Sequence, residues 1–168
     1  YTWSKSLADV EAVPLDSRNS RLDYGLSDLD RTHVFSANYV WNLPLFQKSR
    51  GWRTLAFRNW QLSGIVTFAS GLPFNVTQSG DVAGFGPGSG TQRPNRVGDP
   101  NSGTTGTVAS WFNNNAFAIV TQPGAIGNAP YNAVRGPGIA NFDTSLFREL
   151  KVSERLRGQF GIESFNTF

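Results

Sequence analysis

Apolar and polar residues alternate along four stretches of the chain, with the period of two that sends successive side chains to opposite faces of a strand. Over residues 31–43, Phe35, Ala37, Tyr39, Trp41 and Leu43 share one face, with His33 at its far end. Ser36, Asn38 and Asn42 lie on the other face, with Val34 and Val40 mixed in. Over 59–76, Trp60, Leu62, Gly64, Val66 and Phe68 oppose Asn59, Gln61, Ser63, Ile65 and Thr67. Residues 155–166 set Leu156, Gly158, Phe160 and Ile162 against Arg157, Gln159, Gly161 and Glu163. The pattern is weaker over 141–151, where Phe142, Thr144 and Leu146 oppose Asn141, Asp143 and Ser145 before Phe147 interrupts. Residues 1–6 read as the end of one more strand. An all-β chain follows: an antiparallel up-and-down meander with strands near 1–6, 31–43, 59–76, 141–151 and 155–166.

The connections are lopsided. Residues 7–30 make a 24-residue loop and 77–140 a 64-residue loop rich in Gly, Pro, Asn and Thr. Between them 44–58 is a 15-residue connection, and a tight turn falls near 152–154. In a meander, both long loops leave from the same end. A compact soluble domain rarely carries a structureless loop of that length. Transmembrane barrels combine short turns toward the periplasm with long loops toward the outside. The asymmetry therefore points to part of a transmembrane β-barrel, with 7–30 and 77–140 extracellular.

Charge and aromatic placement sharpen this reading. The 7–30 loop holds Asp9, Glu11, Asp16, Asp23, Asp28 and Asp30 against two arginines, a net of −4. The 44–58 connection holds Lys48, Arg50, Arg53 and Arg58 with no acid, a net of +4. Trp41 and Trp60 flank that basic connection on the apolar faces of adjacent strands, where an interfacial aromatic girdle belongs. Trp3, Phe35 and Phe68 stand nearer the opposite rim, and Tyr39 joins the same girdle set. Charged residues make up only 16% of the 168, against about 25% in soluble domains. Aromatics reach 13%. No apolar run approaches the roughly 18 residues of a membrane helix. There is no Cys, so disulfides, thiol nucleophiles and zinc–thiolate sites are excluded. There is no Met either, and the chain opens on Tyr1-Thr2-Trp3 without a visible leader, so it reads as a piece of a longer protein.

Catalytic chemistry is thin. His33 is the only imidazole; with Asp30 it imitates two members of a triad, but no Ser occupies a nucleophile elbow. Gly84 to Gly90 is glycine-rich without dinucleotide or P-loop spacing, and reads as a loop tip. Asp16, Asp23, Asp28 and Asp30 offer oxygen ligands at a spacing unlike an EF-hand. Lys48 to Arg53 is basic with Trp52, more in keeping with lipid head groups than with nucleic acid. Asn75-Val76-Thr77 matches a glycosylation sequon that matters only in a eukaryotic secretory route. In the long loop, Arg93, Arg96, Asp99, Trp111, Tyr131 and Arg135 combine stacking faces with charge-assisted donors, and are the candidate solute contacts, the alternative being that they pack the loop onto itself or onto neighbouring loops. Neither an enzyme, a cofactor, a metal nor a nucleic-acid partner is expected.

An ordered set of motifs adds a family. Asp23-Tyr24-Gly25, Ser27-Asp28-Leu29-Asp30-Arg31-Thr32-His33-Val34-Phe35 and Trp60-Gln61-Leu62-Ser63-Gly64-Ile65 come first. Ser70-Gly71-Leu72-Pro73-Phe74, Gln92-Arg93-Pro94-Asn95-Arg96 and Arg135-Gly136-Pro137-Gly138 follow, then Asn141-Phe142-Asp143 and Glu163-Ser164-Phe165-Asn166. Together they resemble the TonB-dependent outer-membrane receptors, of the Oar-like type found in acidobacteria. Gly158 and Gly161 depart from that pattern, standing where bulkier or charged residues are usual. The resemblance implies a slice of a barrel of about 22 strands with a plugged lumen. It also implies import of a bulky solute across the bacterial outer membrane, driven through TonB, ExbB and ExbD, with plug and TonB box outside this chain. Its partners would be outer-membrane lipid, the solute and that energising complex. A secreted β-sandwich adhesin or glycan-binding module is the alternative, and a passive porin a third reading.

Overall fold

The computed structural model describes residues 1–9, 13–45, 51, 58–151 and 153–167. Its strands in chain order begin with β1 (Thr2–Trp3), β2 (Leu7–Ala8), β3 (Gly25–Leu26), β4 (His33–Asn42) and β5 (Trp60–Ala69). They continue with β6 (Pro73–Phe74), β7 (Asn95–Arg96), β8 (Phe117–Ala118), β9 (Val134–Arg135), β10 (Ile139–Lys151) and β11 (Arg157–Ser164). Two single 3₁₀ turns, Ser20–Asp23 and Asn114–Ala116, are the helical elements among the described residues. The fold is all-β and antiparallel. Its main sheet runs β1-β4-β5-β10-β11, so the four long strands neighbour one another in chain order and the sheet does not close.

The chain divides into two compact units. The first holds Tyr1, 34–69 and 139–168; the second holds 2–33 and 70–138. In the first, β4 pairs with β5 through Tyr39↔Gly64 and Trp41↔Leu62. Strand β5 pairs with β10 through Leu62↔Leu146 and Trp60↔Arg148, and β10 with β11 through Leu146↔Ile162 and Arg148↔Phe160. This register carries one parity across the whole sheet. Phe35, Ala37, Tyr39 and Trp41 continue into Trp60, Leu62, Val66 and Phe68, then Phe142 and Leu146, then Phe160 and Ile162. The opposite face carries Ser36, Asn38, Gln61, Ser63, Asn141, Asp143, Glu149, Gln159 and Glu163.

Phe147 does not break the alternation, as the sequence suggested. It keeps its parity, lies on the polar face, and covers its cross-strand partner Gly161, where an added Cβ would overlap the ring. Tyr39 treats Gly64 the same way on the apolar face, where a Cβ would sit 2.6 Å from its hydroxyl. An aromatic ring laid over a strand glycine restores the packing that the glycine lacks. The glycine at 161 is thus the floor for Phe147.

The strand expected over 59–76 stops at Ala69. Its last rung is the Ser70 amide donating to the His33 carbonyl at 2.9 Å. Pro73 cannot donate to a continuing ladder, and Pro73–Phe74 pairs instead with Val134–Arg135. Likewise 7–30 and 77–140 are not bare loops. They contribute β2 with β3, β7 with β8, and the β9 partner of β6 to the second unit. Every fully buried apolar side chain among the described residues (Leu15, Ala116, Val120, Ala129 and Val134) lies there. Phe112 meets Phe74 and Phe117 edge to face at 5.9 and 6.0 Å in the same unit.

Candidate functional site

Four of the six residues expected to meet a solute are structural ties of the loop unit. The Arg93 side chain is 4% exposed and donates to the Asp23 carboxylate at 2.7 Å, with that carboxylate 7% exposed. A second Arg93 donor reaches the Leu22 carbonyl, and its guanidinium lies 5.8 Å from the Tyr131 ring centroid. The other Asp23 oxygen accepts from the Leu15 amide at 2.8 Å. Arg135 pairs with Asp30, donates to Thr32 Oγ1 at 2.6 Å, and reaches the Gly71 carbonyl at 3.1 Å. The Trp111 indole donates to the Arg135 carbonyl at 2.5 Å, and the Tyr131 hydroxyl to Asp28 at 3.1 Å. Arg96 and Asp99 are exposed: Arg96 donates to the Gly98 carbonyl, and Asp99 accepts from the Asn101 amide.

Residues not singled out as functional complete the frame. Asn132, at φ 55°, donates through its side chain to the Leu26 carbonyl and Asp28, both at 2.7 Å, and takes Asn75 as acceptor for its own amide. Gln78 pairs both ends of its amide with the backbone of Val120, at 2.9 and 3.2 Å, standing in for a strand neighbour. Gly71 passes so close to the Gly136 carbonyl that a Cβ there would overlap it. Gly71 and Gly136 belong to the motif set, as do Asp23, Asp28, Asp30, Arg93 and Arg135, and the structure ties those segments together, whereas Asn132 and Gln78 lie outside every motif.

Three acids of this unit are held below their ordinary value. Burial pushes the Asp30 carboxyl up, yet the Arg135, Ser6 and Thr32 hydrogen bonds and the Arg135 charge outweigh it, leaving it below the ordinary 3.8. Asp16 is also lowered, first by the Arg18 amide and then by its side chain. Asp81 is lowered chiefly by the Gly86 amide at 2.7 Å, with Phe85, Gly84 and Gln92 adding to it. The glycine-rich stretch from Gly84 is therefore wrapped on Asp81. The Asp30 carboxylate is taken by Arg135, Ser6 and Thr32.

The sheet unit offers two faces. On the polar face a groove of about 690 Å³ is lined by Asn42, Gln61, Phe147, Glu149, Arg157 and Gln159, among others. On the apolar face, Phe35, Trp41, Phe68, Phe160 and Ile162 stay between 41 and 59% exposed, so nothing among the described residues covers it. Of the expected girdle residues, Trp41 and Trp60 sit near one end of β4 and β5, and Phe35 and Phe68 face each other at 6.2 Å near the other end. Tyr39 stands at mid-strand over Gly64, its hydroxyl 3.4 Å from Thr144 Oγ1. Trp3 lies in β1, largely exposed. Lys48, Arg50, Trp52 and Arg53 of the basic connection lie outside the described residues.

Strands of ten residues, an uncovered apolar face, an opposite polar face and aromatic side chains toward both strand ends define the wall of a transmembrane β-barrel. The chain belongs to the outer membrane beta barrel domain family, which matches it over residues 1–168. It is accordingly a protein of the bacterial outer membrane. Neither a curated protein nor a solved structure matches it.

Proposed function

We propose that this chain supplies wall strands and outer loops to a TonB-dependent receptor that imports a bulky solute. The observation that carries the reading is the loop unit. Its two long connections are held together by the buried Arg93–Asp23 pair and by Arg135 on Asp30, an ordering that suits a surface for capturing a solute. The ordered motif set supports the same family. The apolar face of β4, β5, β10 and β11 meets lipid, and the polar face lines the lumen. Arg96 and Asp99, exposed on the loop unit, are the most accessible of the six candidate solute contacts. TonB, ExbB and ExbD act through a plug and TonB box outside these residues, and the chain itself does no covalent chemistry.

The test uses the full-length protein that carries this chain. In planar bilayers a plugged receptor shows no open conductance until urea displaces the plug, and the same protein binds the periplasmic domain of TonB. Steady conductance without urea, with no TonB binding, replaces the receptor with a passive porin. Orientation is checked on intact cells. Cysteine at Asn101 should label with an impermeant maleimide, while cysteine at Glu154, in the short turn before β11, should not.

A further inference from the structure

One charge stands apart from all the others on the sheet. Asp143, Glu149, Lys151, Arg157 and Glu163 share the polar face, whereas register places Arg148 on the apolar face between Trp60 of β5 and Phe160 of β11. The Trp60 and Phe160 rings meet edge to face at 6.4 Å, and the Arg148 guanidinium carbon lies 5.9 Å from the Trp60 centroid. Its Nε is buried without an acceptor. Among the described residues no hydrogen bond or carboxylate reaches the rest of the guanidinium. Its chain neighbour Glu149 faces the other way and pairs with Arg157 at 3.3 Å. An arginine does not shed its proton, and its donors require acceptors.

The place of this charge along the strand matters as much as its face. Arg148 is three residues from the end of β10, beside the first residue of β5 and one rung beyond the Trp41–Leu62 pair. It thus sits in the aromatic row next to the short turn and the basic 44–58 connection. In a barrel this end faces the periplasm, where the adjoining leaflet is built of glycerophospholipid. An arginine on the lipid face is tolerated near an interface and not at mid-membrane, and its planar fork matches phosphate.

We propose that Arg148, backed by Trp60, binds the headgroup phosphate of an inner-leaflet glycerophospholipid, with the Trp60, Phe160 and Trp41 rings against its glycerol and upper acyl chains. This inference rests on the apolar face meeting lipid.

Native mass spectrometry of the full-length protein, titrated with phosphatidylglycerol after detergent exchange, reads the site. Wild type should hold one phosphatidylglycerol that Arg148→Gln binds about tenfold more weakly, the scale of a lost charge-assisted hydrogen bond. Arg148→Lys should recover part of the loss. A folded-barrel gel shift in all three proteins separates binding from assembly. Equal retention by wild type and Arg148→Gln overturns the site, as does a preference for the phosphorylated glycolipid of the outer leaflet. A fluorophore on cysteine at Leu146, challenged with brominated acyl chains, reads the underlying assumption separately. Quenching there with no effect of Arg148→Gln sinks the phosphate site alone, whereas no quenching sinks the lipid-facing assignment with it.

Discussion

The sheet of β4, β5, β10 and β11 contains no fully buried residue among those described, whereas the loop unit contains Leu15, Ala116, Val134, Asp23, Asp30, Arg93 and Asn132, all buried. The long strands, which alternate most regularly, have no interior of their own. The segments richest in Gly, Pro and Asn have one, and much of it is polar. The difference follows from what each unit uses as solvent. A barrel wall one strand thick exchanges water for lipid on its apolar face and needs no second layer. A loop unit that stands in water must bury something, and with few large apolar residues it buries ion pairs and amides most of whose hydrogen bonds are met within the unit, the Arg93 Nε being an exception.

Removing Arg93 should have the largest effect on this contrast. Arg93→Ala leaves the Asp23 carboxylate buried without its cation, a change that costs about 3–5 kcal/mol. Limited proteolysis on cells should then cut within 70–138, while the heat-modifiable gel shift of the barrel persists. Loss of the gel shift as well would mean that the two units do not fold separately. The counterpart in the sheet is Ala37→Arg, which sets a charge on the apolar face and should lower stability by about 2–4 kcal/mol near mid-membrane. Ser36→Arg, one residue away on the polar face, should be far milder. Equal assembly of both in urea titrations of the full-length protein would cancel the assignment of the two faces.

Smaller effects sharpen the same comparison. Gly161→Ala pushes a methyl into the Phe147 ring and should cost about 1–3 kcal/mol by overpacking. Adding Phe147→Ala should relieve part of it, and strictly additive losses in a double-mutant cycle would remove the ring-over-glycine contact from the account. The mildest expectation concerns pH. The Asp30 carboxyl lies below its ordinary value of 3.8 in the folded unit, so its contribution is complete above that value and is lost as pH falls through the lower folded one. Acid titration should loosen the wild-type loop unit, as read by proteolysis, and Asp30→Asn should flatten that component. An unchanged acid profile in the variant would assign the effect to other carboxylates.

Much of the wall was legible in the residues because a strand has a strict period of two. Trp41, Leu62, Leu146 and Ile162 could be placed on one face before any pairing was known, and the register then aligned them in one row. The interruption at Phe147 misled, since an isolated aromatic on a polar face looks like a broken pattern until the glycine opposite it is identified. Arg148 was passed over for a related reason. Its parity was visible, but the absence of a partner for its charge depends on which neighbours β5 and β11 bring alongside.

The loop unit was legible only in part. Its motifs marked segments that belong together, yet the residues alone did not decide whether Arg93, Trp111, Tyr131 and Arg135 meet a solute or pack the loop, because a charged or aromatic residue in a long polar loop carries no sign of its partner. Those partners lie far along the chain: Asp23 is 70 residues from Arg93, and Asp30 is 105 from Arg135. Local alternation thus determined the class of protein and the two faces of its wall, since a strand's geometry depends on its neighbours in sequence. Which charges are tied down, which remain exposed and which stands uncompensated in the wall was decided by tertiary pairing alone, because opposite charges neutralise each other by distance in space and not by distance along the chain.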